Sequence, residues 1–175
     1  MYQVSVNQVF GETNIEIHNL VFDSRKIEQN DVFFAQKGYS VDGHLFIDKA
    51  IELGAIAIIC EDLPQEIKTG ITYLQVADVN EVLAIMAANF YVNPSTKMVL
   101  GGVTGTNGKT TIASLLYQLF KKAGYSVGLL STVKILVDDQ EYKATHTTPD
   151  SLTINSYLNK MMIANVAYCF MEVSS

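Results

Sequence analysis

The sequence predicts an α/β protein in which a small N-terminal domain precedes a phosphate-loop domain with a mainly parallel sheet. Continuously apolar runs such as Ala55–Cys60 are typical of strands buried on both faces of a parallel sheet. Segments with apolar residues at helical spacing alternate with these runs. In the second half, the glycine-rich segment 101–111 separates an apolar strand from a helix, as in phosphate-binding loops.

The two predicted domains meet at the polar, proline-containing segment 93–96. This segment follows a helical stretch and precedes the strand that leads into the glycine-rich segment. We therefore expect one domain over residues 1–93 and a second over residues 94–175.

The first domain is predicted to contain four strands and two helices. Gly54 ends the first helix, because glycine readily adopts the left-handed conformation that closes helices. Asp78 or Asn80 caps the start of the second helix. The predicted strands cover residues 21–23, 31–35, 55–60 and 71–76, and the predicted helices cover 45–53 and 78–91.

The second domain is predicted to contain three core strands, a hairpin and two helices. The first helix ends near Gly124, and Asp150 or Ser151 caps the second after Pro149. A phosphate-loop domain usually needs about five parallel strands, so we expect the sequence to be a fragment of a longer chain. The predicted strands cover 97–100, 126–131 and 166–171, and the hairpin strands cover 133–137 and 141–144.

The phosphate loop is the most informative segment. Its glycines let backbone N–H groups face a phosphate, and the following helix N-terminus adds partial positive charge. Lys109 would reach the outer phosphates, and the Thr110 hydroxyl would ligate Mg²⁺. The general phosphate-loop pattern has glycine where this chain has Val103, so the interpretation depends on the strand–helix context. The chain has no Gly-x-Gly-x-x-Gly pattern, which favours a nucleoside triphosphate over a dinucleotide.

Glu172 follows the last apolar strand-like run. An acid at the carboxyl end of a buried strand beside a phosphate loop is well placed to hold nucleotide-bound Mg²⁺. The alternative is an ordinary strand-end glutamate that faces solvent. The phosphate loop upstream favours the metal-binding interpretation, because a bound triphosphate brings its own need for Mg²⁺.

Composition excludes some classes of function. The net charge is −6, from 12 basic and 18 acidic residues, which argues against nucleic-acid binding. Arg25 is the only arginine, and it lies in the polar cluster Asp23-Ser24-Arg25, which is either a ligand site or a turn. Thr147 and Thr148 stand beside a helix N-terminus and either bind an anion or belong to the helix cap.

The cysteines and histidines do not form a metal-site pattern. Cys60 and Cys169 each lie in an apolar run, so we expect buried free thiols in a reducing compartment. His18, His44 and His146 are scattered, which disfavours a zinc site or a catalytic triad. Without a signal peptide or a stretch of membrane-spanning length, the expected location is the cytoplasm, with no membrane partner.

Residues 104–111, Thr-Gly-Thr-Asn-Gly-Lys-Thr-Thr, resemble the ATP-binding loop of the Mur ligases, which build the peptide of bacterial peptidoglycan. Segments of the first half resemble the UDP-binding N-terminal domain of that family. These segments are 23–25, 31–35, Gly38 and 42–44. Segments 146–151 and 171–175 are similar to the MurE type.

The resemblance implies an ATP-dependent ligase that adds meso-diaminopimelate or L-lysine to UDP-N-acetylmuramoyl-L-alanyl-D-glutamate through an acyl phosphate. It implies that Lys109 and Glu172 are catalytic and that Thr110 and Glu172 bind Mg²⁺. The resemblance assigns ATP binding to Gly105, Thr106, Asn107, Gly108, Lys109, Thr110 and Thr111. It assigns the UDP part of the substrate to Phe22, Ser24, Tyr39, Ser40 and Val41, and the muramoyl-dipeptide part to Thr147, Thr148 and Ser174.

Three alternatives remain open on the sequence. A MurF-type ligase shares the Asp-Gly-His pattern at 42–44, although the Glu-Val-Ser-Ser ending favours the MurE type. Folylpolyglutamate synthetase shares the ATP loop but lacks this N-terminal domain. A non-catalytic module that binds a UDP-sugar or a nucleotide is the alternative from another class. The resemblance places the remaining catalytic parts beyond Ser175, so we expect the fragment to be inactive alone.

Overall fold

A computed structural model describes residues 3–38, 41–143 and 149–173. The chain forms two compact units, and the division falls between Met86 and Ala87. We call them the N-terminal unit and the C-terminal unit.

The N-terminal unit contains a five-stranded sheet in the order β1-β5-β4-β3-β2. The strands β2 to β5 are parallel neighbours, and β1 is antiparallel to β5. Two short 3₁₀ helices, Ser24–Lys26 and Gly43–Phe46, accompany the sheet. The elements are β1 Gln8–Phe10, β2 Leu20–Val21, β3 Asp31–Phe34, α1 Ile47–Glu52, β4 Ala55–Cys60 and β5 Thr72–Gln75. The helix α2, Val79–Phe90, begins in this unit and continues past the division at Met86.

The core of this unit lies where β3 and β4 pack beneath α1. Phe33, Ile58 and Tyr73 are almost fully buried, and Ile47 and Ala50 of α1 join them. Continuous apolar runs form these strands because helices and loops cover both faces of a parallel sheet.

Several N-terminal elements differ from prediction in extent. The predicted strand 21–23 is Leu20–Val21, because the Asp23 side chain accepts a hydrogen bond from Arg25 N and opens a 3₁₀ turn. The predicted helix 45–53 begins as the 3₁₀ helix Gly43–Phe46, which Asp42 caps. The β1 strand was not predicted. The cap at Asp78 is confirmed, since its Oδ1 accepts from Asn80 N at 2.7 Å.

The C-terminal unit contains a second five-stranded sheet in the order β6-β10-β7-β8-β9. The strand β10 lies between β6 and β7 and is parallel to both, and the β8–β9 hairpin extends the sheet in antiparallel fashion. The three parallel core strands and the hairpin match the prediction. The elements are β6 Val99–Val103, α3 Lys109–Lys122, β7 Val127–Leu130, β8 Lys134–Val137, β9 Gln140–Lys143, α4 Ser151–Ile163 and β10 Tyr168–Glu172.

The two helices of this unit cover opposite faces of the sheet. Leu129 and Phe170 pack in the cluster that includes Ala113 of α3. Their neighbours Leu130 and Cys169 pack in the cluster that includes Met161 of α4. Successive strand residues therefore alternate between two cores, as the pleat of a strand requires.

Several boundaries in the C-terminal unit differ from the prediction, including those of β7 at Val127–Leu130, β8 at Lys134–Val137 and β10 at Tyr168–Glu172. β6 begins at Val99 and includes Gly101 and Gly102, because residues 94–97 form a 3₁₀ helix. The hairpin turn contains two residues rather than three, since Gln140 already pairs with Val137. Glu172 is the last residue of β10 rather than the residue after it.

Both cysteines are buried free thiols, as predicted. Burial raises the pKa of Cys60 to about 11 and that of Cys169 to about 12, so both remain protonated near neutral pH. Among the described residues, no helix combines the length and the apolar character needed to cross a membrane.

Candidate functional site

The phosphate loop connects β6 to α3, as the sequence predicted. Two of its glycines have positive φ, Gly105 at +141° and Gly108 at +80°, and Gly108 is the N-cap of α3. Side chains are disfavoured in both conformations, so glycine is needed at these turns. The loop therefore leads directly to the helix N-terminus, where unpaired N–H groups can meet an anion.

Lys109 is the first residue of α3 and folds back over the loop. Its Nζ donates a hydrogen bond of 2.8 Å to the carbonyl oxygen of Gly105. This contact places the ammonium group beside the turn that would surround a phosphate. A terminal cation on a flexible stem can exchange this carbonyl for phosphate oxygens.

Glu172 lies at the carboxyl end of β10, between the parallel strands β6 and β7. Its register partner on β6 is Val103, the residue from which the phosphate loop departs. The hydroxyl of Thr110 donates to Glu172 Oε2 at 2.9 Å. The three residues predicted to work together, Lys109, Thr110 and Glu172, therefore lie at one end of the sheet.

A further residue at this site, Thr132, was not identified from the sequence. Both its backbone N and its hydroxyl contact Glu172 Oε2, at 3.2 and 3.1 Å. Thr132 follows the end of β7, the other parallel neighbour of β10. The signal that could have revealed it is position, because carboxyl ends of parallel neighbouring strands meet at one edge of the sheet.

The surroundings of Glu172 favour its charged form. Desolvation raises its pKa, but the hydrogen bonds from Thr132 and Thr110 and the positive charge of Lys109 outweigh it, so the net pKa is lowered. The carboxylate is consequently ionised near neutral pH and carries the negative charge that a cation requires.

The donor set suits Mg²⁺ held together with a nucleotide. When the Thr110 hydroxyl donates a hydrogen bond to Glu172, its oxygen keeps lone pairs for a cation. Mg²⁺ prefers oxygen ligands and commonly takes one or two from protein and the rest from phosphates and water. Within the described ranges, no cluster of three or more His, Cys, Asp or Glu side chains forms a protein-only cage.

A second candidate site is a groove in the N-terminal unit with a volume of about 570 Å³. Three of the predicted UDP-contacting residues line it: Phe22, Ser24 and Val41. Lys49 of α1 contributes a cation to the same groove. The other two predicted residues, Tyr39 and Ser40, lie outside the described residues.

Asp23 and Arg25 form one wall of this groove. Arg25 Nε and Nη2 donate to the two carboxylate oxygens of Asp23, each at 2.8 Å. The hydrogen bond from the Arg25 side chain is the main reason that the pKa of Asp23 falls to about 2. The cluster is thus a turn with an internal ion pair, and it also lines the groove.

His44 has a structural role at the end of β4. Its Nε2 accepts hydrogen bonds from Glu61 N at 3.1 Å and Asp62 N at 3.2 Å. The ring therefore carries its proton on Nδ1, which donates to Asp42 Oδ1 at 2.7 Å. Asp42-Gly43-His44 thereby fixes the segment that borders the groove.

The remaining predicted substrate residues, Thr147, Thr148 and Ser174, lie outside the described residues. The Asp150 side chain caps α4 by accepting from Thr153 N at 2.8 Å, which confirms that predicted helix start.

Models of known protein families match residues in both units. A model described as "Mur ligase family, catalytic domain" matches residues 16–91, and one described as "Mur ligase middle domain" matches residues 103–175. A relative from Cytophaga hutchinsonii, named UDP-N-acetylmuramoyl-L-alanyl-D-glutamate–2,6-diaminopimelate ligase, is 49% identical over 176 residues. That match covers 100% of this chain and 36% of the relative, so the chain spans about a third of the length of the curated relatives it matches.

Solved structures share the fold. A structure of a UDP-N-acetylmuramoyl-L-alanyl-D-glutamate–2,6-diaminopimelate ligase has a TM-score of 0.76 at 22% identity, over 93% of this chain and 34% of that one. A MurF ligase from Thermotoga maritima, solved in complex with ADP, has a TM-score of 0.62 at 29% identity. It matches 89% of this chain and 32% of its own length.

Proposed function

Because this chain belongs to the Mur ligase family, we propose that it carries the UDP-substrate site and the ATP site of a peptidoglycan-precursor ligase. The relatives at 49% and 46% identity are named as 2,6-diaminopimelate ligases, which supports the MurE type. The reaction would join meso-diaminopimelate to UDP-N-acetylmuramoyl-L-alanyl-D-glutamate. L-lysine is the alternative amino acid. A cytoplasmic location belongs to the same proposal, because ATP is supplied there.

Within this proposal, residues 1–93 bind the UDP-linked substrate and residues 94–175 form the first part of the ATP-binding domain. The observation that carries the proposal is the Thr110–Glu172 hydrogen bond beside a phosphate loop. It joins a hydroxyl at a helix N-terminus to a carboxylate at a strand end, the donor pair that a nucleotide-bound Mg²⁺ needs.

The ATP site would be formed by the loop and the first turn of α3. Backbone N–H groups of Gly105, Thr106, Asn107, Gly108, Lys109, Thr110 and Thr111 would face the phosphates. Lys109 would release the Gly105 carbonyl and neutralise the outer phosphates, while Thr110 and Glu172 would hold Mg²⁺. The bound ion would supply further charge neutralisation at the transferred phosphoryl group.

The reaction would proceed in two steps. A substrate carboxylate oxygen forms a bond to the γ-phosphorus of ATP, the bond to the bridging oxygen breaks, and ADP leaves. The amine of the incoming amino acid then attacks the acyl carbon, loses a proton, and displaces inorganic phosphate as the amide forms. Lys109 contributes by positioning and by stabilising the charge on the transferred group, since the protein needs no covalent role.

The groove of the N-terminal unit would receive the UDP part of the substrate. Phe22 offers a partly exposed aromatic ring, Ser24 a hydroxyl and Val41 an apolar contact. Tyr39 and Ser40 belong to the same proposal through the family resemblance, as do Thr147, Thr148 and Ser174 for the muramoyl-dipeptide part.

Calorimetry tests the two binding sites separately. The protein is titrated with UDP-N-acetylmuramoyl-L-alanyl-D-glutamate and, in a separate titration, with Mg²⁺ and a non-hydrolysable ATP analogue. We expect binding of both by the complete protein that contains this chain. In a separate assay with ATP in place of the analogue, we expect phosphate release that depends on diaminopimelate. A preference for the tripeptide substrate with D-alanyl-D-alanine would favour the MurF type. Binding without phosphate release would favour a non-catalytic module.

A further inference from the structure

Two threonines, Thr110 and Thr132, donate hydrogen bonds to Glu172, and Thr132 has no role in the proposed function. Glu172 Oε2 accepts from Thr110 Oγ1, from Thr132 N and from Thr132 Oγ1. Two of these three donors belong to Thr132, which lies 40 positions from Glu172 in the chain. Among the described residues, these three hydrogen bonds all reach Oε2 of the carboxylate.

Thr132 is presented by a turn that the neighbouring serine fixes. Ser131 is almost completely buried, and its N and its hydroxyl both donate to the carbonyl oxygen of Lys134, at 3.1 and 2.8 Å. Lys134 N donates back to Ser131 Oγ at 3.2 Å. The turn between β7 and β8 is therefore stabilised by its own hydrogen bonds. These bonds fix the position from which Thr132 contacts Glu172.

An apolar cavity of about 110 Å³ lies beside the same carboxylate. Leu130, Met171 and Val173 line it together with Glu172. A carboxylate that turned into this mostly apolar cavity would give up the hydrogen bonds it now accepts, which is costly in an apolar environment. Thr132 supplies two of the three hydrogen bonds that hold Glu172 in its present orientation.

From this geometry we propose that Thr132 is a positioning residue that orients Glu172 toward the Mg²⁺ of the bound nucleotide. The inference rests on the proposed function, because it assumes that Glu172 meets a nucleotide-bound cation. Groups that orient a metal ligand typically change metal affinity or activity by about 10–100-fold when removed. A group that served only folding would alter stability and leave metal affinity unchanged.

Thr132→Val tests this role, because valine keeps the shape of threonine and removes the hydroxyl donor. Thr132→Ser restores the hydroxyl. Thr153→Val is the matched control, since the Thr153 hydroxyl also donates to a carboxylate, Asp150 Oδ2, at 2.7 Å. The affinity for Mn²⁺ in the presence of ADP is measured by electron paramagnetic resonance on the complete protein. The Mg²⁺ dependence of phosphate release is measured alongside.

We expect Thr132→Val to weaken Mn²⁺ binding and raise the half-saturating Mg²⁺ concentration about tenfold, with an unchanged KM for the UDP-linked substrate. Thr132→Ser should recover most of the affinity, and Thr153→Val should match the wild type. Wild-type affinity in Thr132→Val, or an equal loss in Thr153→Val, would overturn the positioning role alone. A wild-type protein that binds neither ADP nor Mn²⁺ would overturn the proposed function as well.

Discussion

The hydroxyl of Thr110 and the carboxylate of Glu172 are joined by a hydrogen bond of 2.9 Å, although the two residues lie 62 positions apart. Thr110 lies in the first turn of α3, and Glu172 is the last residue of β10. The sheet order places β10 directly beside β6, so the helix that follows the phosphate loop begins above the end of β10. One side-chain contact thus connects the anion-binding loop with the acid that would balance a bound cation.

The first prediction concerns the hydroxyl of Thr110. Thr110→Val should weaken Mg²⁺ binding in the presence of nucleotide by about tenfold or more, because a ligand oxygen is lost and Glu172 loses one donor. Thr110→Ser keeps the hydroxyl and should stay close to the wild type. Calorimetric titration of Mg²⁺ into the nucleotide-bound protein gives the affinities. Equal affinities for the valine and serine variants would contradict a role of the hydroxyl in metal binding.

The second prediction concerns Lys109. Lys109→Met retains a long side chain but removes the charge that would face the outer phosphates. We expect phosphate release to fall by about 10²–10³-fold, the usual loss when one transition-state donor is removed. Steady-state kinetics of the complete protein measure the effect.

Lys122→Met is the matched control for Lys109→Met. Lys122 is exposed at the opposite end of the same helix, so its replacement should leave activity near that of the wild type. Activity retained in Lys109→Met, or lost equally in Lys122→Met, would argue against the phosphate-loop role.

The sequence predicts an element well where the signal lies in its own residues, and poorly where the element depends on tertiary contacts. The prediction for β4 was correct at both ends, because a continuous apolar run follows Gly54 and stops before Glu61. The β1 strand was missed because its three residues are exposed and only pairing with β5 makes them a strand. Such edge strands depend on tertiary context rather than on residue pattern.

The same distinction applies to the residues of the candidate site, since only some of them are recognisable from local sequence patterns. Lys109, Thr110 and Glu172 follow from spacing, because a phosphate loop and a strand-end acid have recognisable positions. Thr132 does not, because a polar residue after a strand resembles any turn residue. Its importance appears only through hydrogen bonds to a carboxylate on another strand.

The third prediction concerns pH and the Asp23–Arg25 pair. The hydrogen bond from Arg25 lowers the pKa of Asp23 from its ordinary 3.8 to about 2. The folded-state pKa is depressed, so the stabilisation from this pair is fully present above about pH 4 and is lost as the pH falls through 2. Carbon-detected NMR titration of the Asp23 carboxyl measures its pKa directly.

Arg25→Gln should return the pKa of Asp23 toward 3.8, because the largest cause of its depression is removed. Lys26→Gln is the control, since the charge of Lys26 makes the smallest contribution to the same shift. A pKa for Asp23 that stays near 2 in Arg25→Gln would show that another group stabilises the carboxylate.

The last prediction concerns the packing of β7 against α4. A Cβ atom on Gly128 would lie 2.5 Å from Met161 Sδ, and Met161 is fully buried. Gly128→Ala should therefore lower the free energy of unfolding by about 1–3 kcal/mol, the usual cost of overpacking a core. Gly102→Ala is the control in the same sheet, because its Cβ would meet Val173 Cγ2 at an ordinary 3.4 Å.

A double-mutant cycle identifies the cause of that loss. Met161→Ala alone should cost about 2–5 kcal/mol by leaving a cavity. In the Gly128→Ala background it also removes the clash, so the combined loss should be smaller than the sum by about 1 kcal/mol or more. Denaturant unfolding followed by circular dichroism supplies the four free energies. Strict additivity would mean that Gly128 is required for a reason other than its contact with Met161.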